Sequence, residues 1–433
     1  MSQLQSIFKI SHFKSLINSS AFRDTSVLTV GTAVSQCIFF AGLPLLTKVY
    51  GPEEFGQFAV ILAVINILSV LFSLKYEVEI LSPEKDSNAS DIMLLCLFLI
   101  LISSITITGL ALIFPWNLLE ISGVSSLIDF VKFVGIFAGL TSLFGISQWW
   151  LNRFKRYFTM AALRILQSAS FVALALYFSN YSLSSNILVW SQVASVSICA
   201  FISFFLVRDA ASHWKIKNIL KTARNYINTP KFVWPSAMMD VVSQQLPLFL
   251  VAFLFSIEMS GQYSFAWRIT FIPMTIIGRA IAQIFWKKLS LIKNDHIQAG
   301  NLLIKTWLIL FIIGFPMLSI LLIGEEVFTF FLGDEWLLAG EIAEVIVPIA
   351  FLAFITSPTS ATFILFKKQN YVFLQGLCVL VCRPLAVFIG YIYSDFKFGL
   401  QLLVIFEAIY IIMYMLIAYR LTALNKTSLF SGK

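Results

Sequence analysis

Charge is the property that this sequence has least of. Only 12% of its 433 residues are Asp, Glu, Lys or Arg, whereas 59% are hydrophobic and the mean hydropathy is +0.88. This balance excludes a water-soluble globular protein, because one core cannot bury so much apolar surface. The apolar runs are about 20 residues long, which predicts membrane-spanning helices and argues against the alternating ten-residue strands of a β-barrel.

Cysteine, histidine and catalytic motifs are scarce as well. The five cysteines fall inside apolar runs, at spacings that fit neither a disulfide framework nor a zinc site. The three histidines fall outside the predicted spans, so we expect no metal. The sequence has no Walker motif, nucleophile elbow, HExxH motif or glycine-rich nucleotide loop. We therefore expect a transporter without cofactors, driven by an ion gradient or the membrane potential, and not an enzyme.

The apolar runs predict an all-α polytopic membrane protein with about twelve spans. We place them near 26–48, 56–80, 92–114, 130–151, 158–178, 187–207, 233–256, 261–286, 302–323, 344–366, 371–393 and 400–420. About twenty of the 30 Lys and Arg residues fall on one set of alternate connections. The longest connection of the other set, GEEVFTFFLGDEWLLAGE from Gly324, carries only acidic charges. By the positive-inside rule both termini are cytoplasmic.

The longest polar connection divides the chain into two halves of six spans each. We expect five segments. A basic N-terminal arm, 1–24, suits an interfacial helix and precedes a first six-helix lobe, 25–207. A basic cytoplasmic linker, 208–232, then leads to a second six-helix lobe, 233–420, and a cytoplasmic tail, 421–433. A weak internal sequence similarity supports a parallel repeat. AVSQ at Ala33 is followed by GQF at Gly56, and VVSQ at Val241 is followed by GQY at Gly261. The interface between such lobes is the expected substrate site.

Ionisable residues inside spans are the strongest functional signal, because each costs roughly 2.5 to 3.5 kcal/mol to insert. Arg268 and Arg279 share one face of the eighth predicted span, although Arg268 also suits a structural pairing and Arg279 a side chain that reaches the cytoplasmic headgroups. Asp240 in the seventh span is a candidate for ion coupling or for a surface pair with a lysine. Arg383 lies near the middle of the eleventh span, and Glu407 in the twelfth is either its structural partner or a second ion-coupling group. This excess of buried cations suits an anionic substrate.

Four segments carry a family resemblance: KVYGPEEFGQFAVILAVINILSVLFSLKYEVEILSPEKDSNA, PKFVWPSAMMDVVSQQLPLFLVAFLF, SGQYSFAWRITFIPMTIIGRAIAQIFWKK and FFLGDEWLLAGEIAEVIVPIAFLAFITSP. Together they resemble the bacterial polysaccharide-biosynthesis flippases. This resemblance implies a fold like that of the multidrug and toxic-compound exporters, with twelve spans in two lobes around a central cavity.

The resemblance also implies a function. Such a flippase moves an undecaprenyl-diphosphate-linked oligosaccharide, such as an O-antigen or capsule repeat unit, to the periplasmic leaflet of the bacterial cytoplasmic membrane by alternating access. Arg268, Arg279 and Arg383 are then candidates to hold the diphosphate, while Gln36, Gln244 and Tyr263 are candidates to meet sugar hydroxyls. The implied partners are the lipid-linked substrate, the bilayer and other polysaccharide-assembly membrane proteins such as a polymerase or a chain-length regulator, with no nucleic acid.

Two other functions fit a polytopic chain less well. A multidrug or small-molecule exporter of the same superfamily would favour acidic residues in its cavity. A membrane glycan polymerase or ligase would need an extracytoplasmic catalytic surface, yet the predicted external connections are short and carry no His or Arg cluster.

The charge distribution generates a test of orientation. Alkaline phosphatase, which is active only outside the cytoplasm, is expected to be active when fused after Asp334 and inactive when fused after Lys288. Activity after Lys288 would invert the predicted topology. Immunoblots of both fusions control for their amounts.

Overall fold

The protein is almost entirely helical. The computed structural model describes residues 20–114, 128–179, 187–213, 218–292 and 295–423, and no strand occurs among them. Residues 1–19 of the predicted N-terminal arm and residues 424–433 of the predicted tail lie outside these ranges. The predicted all-α fold class is therefore confirmed for the described chain.

The described residues of the first half of the chain form seven α-helices. Their bounds are α1 Ser20–Leu46, α2 Pro52–Ser73, α3 Asp86–Ile113, α4 Ile128–Arg153, α5 Tyr157–Phe178, α6 Ile187–Leu206 and α7 Ile219–Asn225. Short 3₁₀ helices occur at Tyr76–Leu81 and Arg208–His213, and a π-helical turn at Thr229–Val233 precedes the second half.

In the second half, the residues that the structure describes form eight α-helices. Their bounds are α8 Trp234–Leu254, α9 Ile257–Ile292, α10 His296–Gly314, α11 Ile320–Leu332, α12 Leu337–Thr356, α13 Ala361–Leu365, α14 Gln369–Ile392 and α15 Phe396–Ala423. Short 3₁₀ segments at Phe315–Ser319, Asp334–Trp336 and Ser357–Thr359 join α10 to α11, α11 to α12 and α12 to α13. Helical geometry satisfies the backbone hydrogen bonds internally, as a lipid environment requires.

The number of membrane spans agrees with the prediction. In the described residues, eleven helical segments are long and apolar enough to cross a membrane. Helix α9 corresponds to the predicted eighth span and is not one of the eleven. Its 36 residues span about 54 Å, which exceeds the bilayer thickness.

Two predicted boundaries differ from the structure. In the second predicted span, 56–80, the α-helix ends at Ser73 and a 3₁₀ helix begins at Tyr76, because Leu74 and Lys75 adopt left-handed backbone angles with φ of 47° and 62°. The connection predicted from Gly324 is helical to Leu332, since the chain departs from helical backbone angles at Ile323, with φ of −138° and ψ of 20°, and then continues as the rest of α11.

The chain divides into two compact units. Among the described residues, the first comprises 20–46, 68–114, 128–179, 187–213 and 218–234, and the second comprises 47–67, 235–292 and 295–423. The division falls close to the predicted lobe boundary at 232/233, but most of α2 belongs to the second unit. The predicted domain bounds remain a prediction.

Small residues allow close helix packing in the first unit. A Cβ atom added to Gly31 of α1 would lie 2.2 Å from the Cβ atom of Ala161 on α5. Polar contacts join the same two helices, because Arg164 donates to the Thr32 hydroxyl at 2.8 Å and the hydroxyls of Ser35 and Ser168 lie 2.7 Å apart. Small residues with interhelical hydrogen bonds are typical of packing in membranes.

The linker that follows α6 packs against α3 and the 3₁₀ helix Tyr76–Leu81 of the first unit. The Tyr76 hydroxyl donates to the carbonyl oxygen of Ala223 at 3.0 Å, and the Thr229 hydroxyl donates to the Glu79 carboxylate at 2.5 Å. Asn218 donates to Asp91 at 2.8 Å. The segment predicted as a basic linker is therefore partly helical, and hydrogen bonds attach it to Tyr76, Glu79 and Asp91 of the first unit.

The second unit depends on a crossing between α2 and α9. A Cβ atom on Gly56 would lie 2.0 Å from the carbonyl oxygen of Ile257, and one on Gly261 would lie 1.9 Å from the carbonyl oxygen of Pro52. These two glycines begin the GQF and GQY segments of the internal sequence similarity, so the two similar segments pack directly on each other.

Residues around this crossing connect it to α12. Gln262 donates to the Glu335 carbonyl oxygen at 2.6 Å and accepts from the Ala339 amide at 3.0 Å. Trp336 is fully buried and packs its ring against Phe55 and Phe265 at centroid distances of 5.3 and 4.3 Å. The N-terminal ends of α2, α9 and α12 are therefore held together.

Gly261→Ala tests this crossing. The added methyl group overlaps a backbone atom that no rotamer change can move, so we expect a loss of about 1 to 3 kcal/mol of stability. Gly376→Ala is the matched control, because its Cβ meets no atom within 4 Å. Thermal unfolding of the purified proteins in detergent measures the difference. Equal midpoints for the two variants would contradict the close approach.

Candidate functional site

A cavity with polar and aromatic walls lies within the second unit. Its volume is about 270 Å³. Three helices line it: α2 with Ala59, Leu62, Ala63 and Asn66; α8 with Gln244, Gln245 and Leu248; and α9 with Tyr263, Ser264, Trp267, Arg268 and Phe271. It lies on the C-terminal side of the glycine crossing along both α2 and α9, so that crossing sets the separation of two of its walls.

Three of the predicted substrate-binding residues come together in this cavity. Gln244 is exposed and donates to the Asp240 carboxylate one turn earlier at 3.1 Å. Tyr263 is 4% exposed, and Arg268 is half-buried. The three residues lie on two different helices and share the cavity as lining residues.

Arg268 is the principal electrostatic feature of the cavity. Its guanidinium carbon lies 6.0 Å from the centroid of the Phe58 ring on α2. A cation over an aromatic face is stabilised by the ring quadrupole. Among the described residues that line the cavity, no other side chain carries a formal charge. The cavity therefore presents a cation, carboxamides and hydroxyls to an occupant.

Arg383 and Glu407 form an ion pair beside the cavity. The Arg383 guanidinium donates to the Glu407 carboxylate, and the two side chains are only 13% and 4% exposed. The guanidinium carbon also lies 5.4 Å from the centroid of the Trp267 ring, which is a cavity-lining residue. Arg383 thus lies behind the cavity wall and is not one of its lining residues.

The remaining candidates lie elsewhere. Gln36 is half-buried on α1 in the first unit. Asp240 is exposed on α8 and contacts the cavity through its hydrogen bond with Gln244. Arg279 is exposed on α9, three turns beyond Arg268. None of the three lines the cavity, and their roles remain predictions.

Sequence reasoning missed four cavity residues and one intramembrane arginine. Asn66 is the one carboxamide in the apolar run FAVILAVINILSVLF, and Gln245 adjoins the predicted Gln244. Trp267 and Phe271 continue the face of Tyr263 at intervals of four residues, a spacing that is visible in the sequence. Arg164 in the first unit hydrogen-bonds Thr32, which indicates a structural role.

Comparisons with known proteins bear on both family and fold. A family model described as polysaccharide biosynthesis protein matches residues 45–341, which is more than half of the chain. No curated protein matches the sequence.

Three solved structures with the same fold are described as transporters or as a flippase. An inward-facing multidrug resistance MATE family transporter of the MOP superfamily has a TM-score of 0.71 at 16% identity, covering 95% of this chain and 100% of its own. The lipid II flippase MurJ in an inward closed conformation has a TM-score of 0.70 at 14% identity, covering 91% and 87%. A MOP superfamily transporter from Pyrococcus furiosus, described as having a binding pocket of reverse polarity, has a TM-score of 0.63 at 16% identity, covering 95% and 98%. At these identities the likeness establishes the fold, so the predicted exporter-like fold is confirmed.

Cysteine labelling tests whether the cavity is accessible. In a chain whose five native cysteines are replaced by serine, Gln244→Cys is expected to react with a charged methanethiosulfonate reagent, because side chain 244 is exposed on the cavity wall. Val251→Cys on the same helix is the control, since Val251 is fully buried. Equal labelling at both positions would contradict the cavity.

Proposed function

The chain belongs to the polysaccharide biosynthesis protein family, and from this premise we propose that it is a flippase for a lipid-linked oligosaccharide. The substrate is an undecaprenyl-diphosphate-linked repeat unit, of the O-antigen or capsule type. The protein moves it from the cytoplasmic to the periplasmic leaflet of a bacterial cytoplasmic membrane by alternating access.

The position of Arg268 carries the proposal. An arginine in a membrane-embedded cavity costs roughly 2.5 to 3.5 kcal/mol to insert, so its presence on the cavity wall calls for an anionic occupant or a structural partner. Its planar guanidinium matches phosphate oxygens in a bidentate manner and does not lose its proton. No carboxylate is among the described lining residues, and this disfavours a cationic cargo.

The other polar groups of the cavity suit a carbohydrate. Asn66, Gln244 and Gln245 supply amide donors and carbonyl acceptors, and the Tyr263 and Ser264 hydroxyls supply both. Sugar hydroxyls are likewise donors and acceptors, so amides and hydroxyls bind them without a net charge. A headgroup with a diphosphate and sugars thus finds both kinds of partner on the same wall.

The energy source follows from the substrate charge. A diphosphate diester carries about two negative charges, and a potential that is negative inside favours its outward movement by roughly 2.3 kcal/mol per charge per 100 mV. Ion coupling through Asp240, which hydrogen-bonds the cavity residue Gln244, is the alternative mechanism. Both mechanisms use the same cavity.

Complementation in the native host tests the function. In a strain that lacks the gene, wild-type protein is expected to restore surface polysaccharide and to clear lipid-linked repeat units from the cytoplasmic leaflet. Arg268→Ala is expected to reduce this rescue at least about tenfold, since a charge-assisted hydrogen bond contributes about 1.5 to 3 kcal/mol. Arg268→Lys keeps the charge and loses the bidentate geometry, so it should rescue partially.

The control is Lys397→Met, which removes an exposed cation whose partner is Glu341 at 3.5 Å. Immunoblots of membrane fractions verify that every variant inserts. Normal arrival of lipid-linked units in the outer leaflet without the protein would exclude the flippase function and favour the exporter. Full rescue by Arg268→Ala would exclude the proposed role of the arginine.

A further inference from the structure

The ion pair of Arg383 with Glu407 is the most deeply buried ion pair among the described residues of the second unit. Arg383 lies on α14 and Glu407 on α15. Tyr263 and Tyr410 lie close enough to interact electrostatically with the guanidinium. The neighbouring core is otherwise apolar, with Ile349, Ala386, Leu403 and Ile411 all 2% exposed or less.

Stability alone does not account for this pair. Removing two charges from water costs about as much as their attraction returns, and apolar residues of similar volume often replace a buried ion pair without loss. In a lobe whose core is built of aliphatic and aromatic side chains, such a replacement is available. The pair is therefore expected to do something that an apolar pair cannot.

The contact between Arg383 and Trp267 connects the ion pair of Arg383 and Glu407 to the aromatic wall of the cavity. The guanidinium carbon lies 5.4 Å from the Trp267 centroid. The Trp267 ring stacks on Phe271, with centroids 4.3 Å apart and an angle of 14° between the rings, and Tyr263 lies 5.7 Å away. All three aromatic residues line the cavity. Trp267 and Phe271 also pack against the apolar core formed by Ile349, Ala386, Leu403 and Ile411. They therefore form the wall between this core and the cavity.

We propose that Arg383 is a positioning residue that fixes the aromatic wall of the cavity. Its guanidinium holds the Trp267 ring through a cation–π contact, and Glu407 holds the guanidinium in place. The fixed ring determines the placement of Tyr263 and of the adjoining Arg268, which meet the substrate. The inference rests on the proposed function for its transport consequence, whereas its structural consequence is measurable without any substrate.

This role differs from two of the predicted roles, phosphate binding by Arg383 and ion coupling by Glu407. As a phosphate ligand, Arg383 would have to leave Glu407 and pass the Trp267 ring to reach the cavity. As an ion carrier, Glu407 would have to exchange its guanidinium partner during transport. A positioning role requires neither movement, because both side chains remain where the structure has them.

The experiment compares three changes that separate pairing from positioning. The double variant Arg383→Met with Glu407→Leu removes the cation above Trp267 and leaves no unpaired buried charge. The charge-reversed variant Arg383→Glu with Glu407→Arg keeps an ion pair but places the cation on α15. Arg383→Lys keeps a cation on α14. The control is Lys397→Met with Glu341→Met, which removes the exposed pair at 3.5 Å.

Three measurements are made on each variant of the full chain. Thermal unfolding in detergent reports stability, and complementation in the native host reports transport. The emission of Trp267 reports the position of the ring, and it is obtained as the difference between each protein and the same protein carrying Trp267→Phe.

The apolar double variant is expected to keep the wild-type unfolding midpoint, to shift the Trp267 emission and to lower transport about tenfold, the size expected for a desolvated cation–π contact. Arg383→Lys should retain most of the transport and of the emission. The charge-reversed variant should unfold like the wild type and still show the altered emission and the lowered transport. The control should match the wild type in all three.

Two results would overturn the proposal. Full transport by the charge-reversed variant would make the pair purely structural, and an unchanged Trp267 emission in the apolar double variant would show that the guanidinium does not hold the ring. Failure of the proposed function is distinguishable from both, because the wild type itself would then fail to clear lipid-linked units while the emission changes persist.

Discussion

The contact of Gly56 with Gly261 is the constraint on which the second unit depends. Helices in lipid gain little from burying apolar side chains, so they associate through close van der Waals contact where small residues permit it. At this crossing each glycine lies against the backbone of the other helix. The short separation brings Asn66 on α2 and Arg268 on α9 to one cavity. A bulkier residue at the crossing would move both walls.

Polar side chains in this unit divide into those that hold helices together and those that line the cavity. Gln262 uses both ends of its carboxamide to join α9 to Glu335 and Ala339, and is therefore a structural residue. Tyr263, the next residue, faces the cavity. One step along a helix turns a side chain by about 100°, which separates a packing role from a binding role.

The two central arginines of this unit have different environments although each interrupts an apolar helix. Arg268 lines the cavity and meets a phenylalanine ring, whereas Arg383 is paired with a buried carboxylate. A paired guanidinium is neutralised and fixed, so it suits support. Arg268 lies on the cavity wall, where an occupant would meet it, which suits recognition of an anion. The proposed function and the positioning role of Arg383 follow from this difference.

The sequence by itself determined that the chain is a helical membrane protein with about twelve spans, because hydropathy and helical backbone pairing are local properties of windows of about 20 residues. It also identified Arg268, Arg383 and Glu407 as exceptional, since any charge in such a window is costly. Only the tertiary structure decided which of them share a site. Whether an arginine lines a cavity or meets a carboxylate depends on neighbours from distant helices, and the insertion cost that marks both arginines is the same. The early end of α2 and the four missed cavity residues escaped prediction for the same reason. The left-handed turn at Leu74–Lys75 and the cavity wall depend on packing between distant segments, which a sequence window of about 20 residues does not contain.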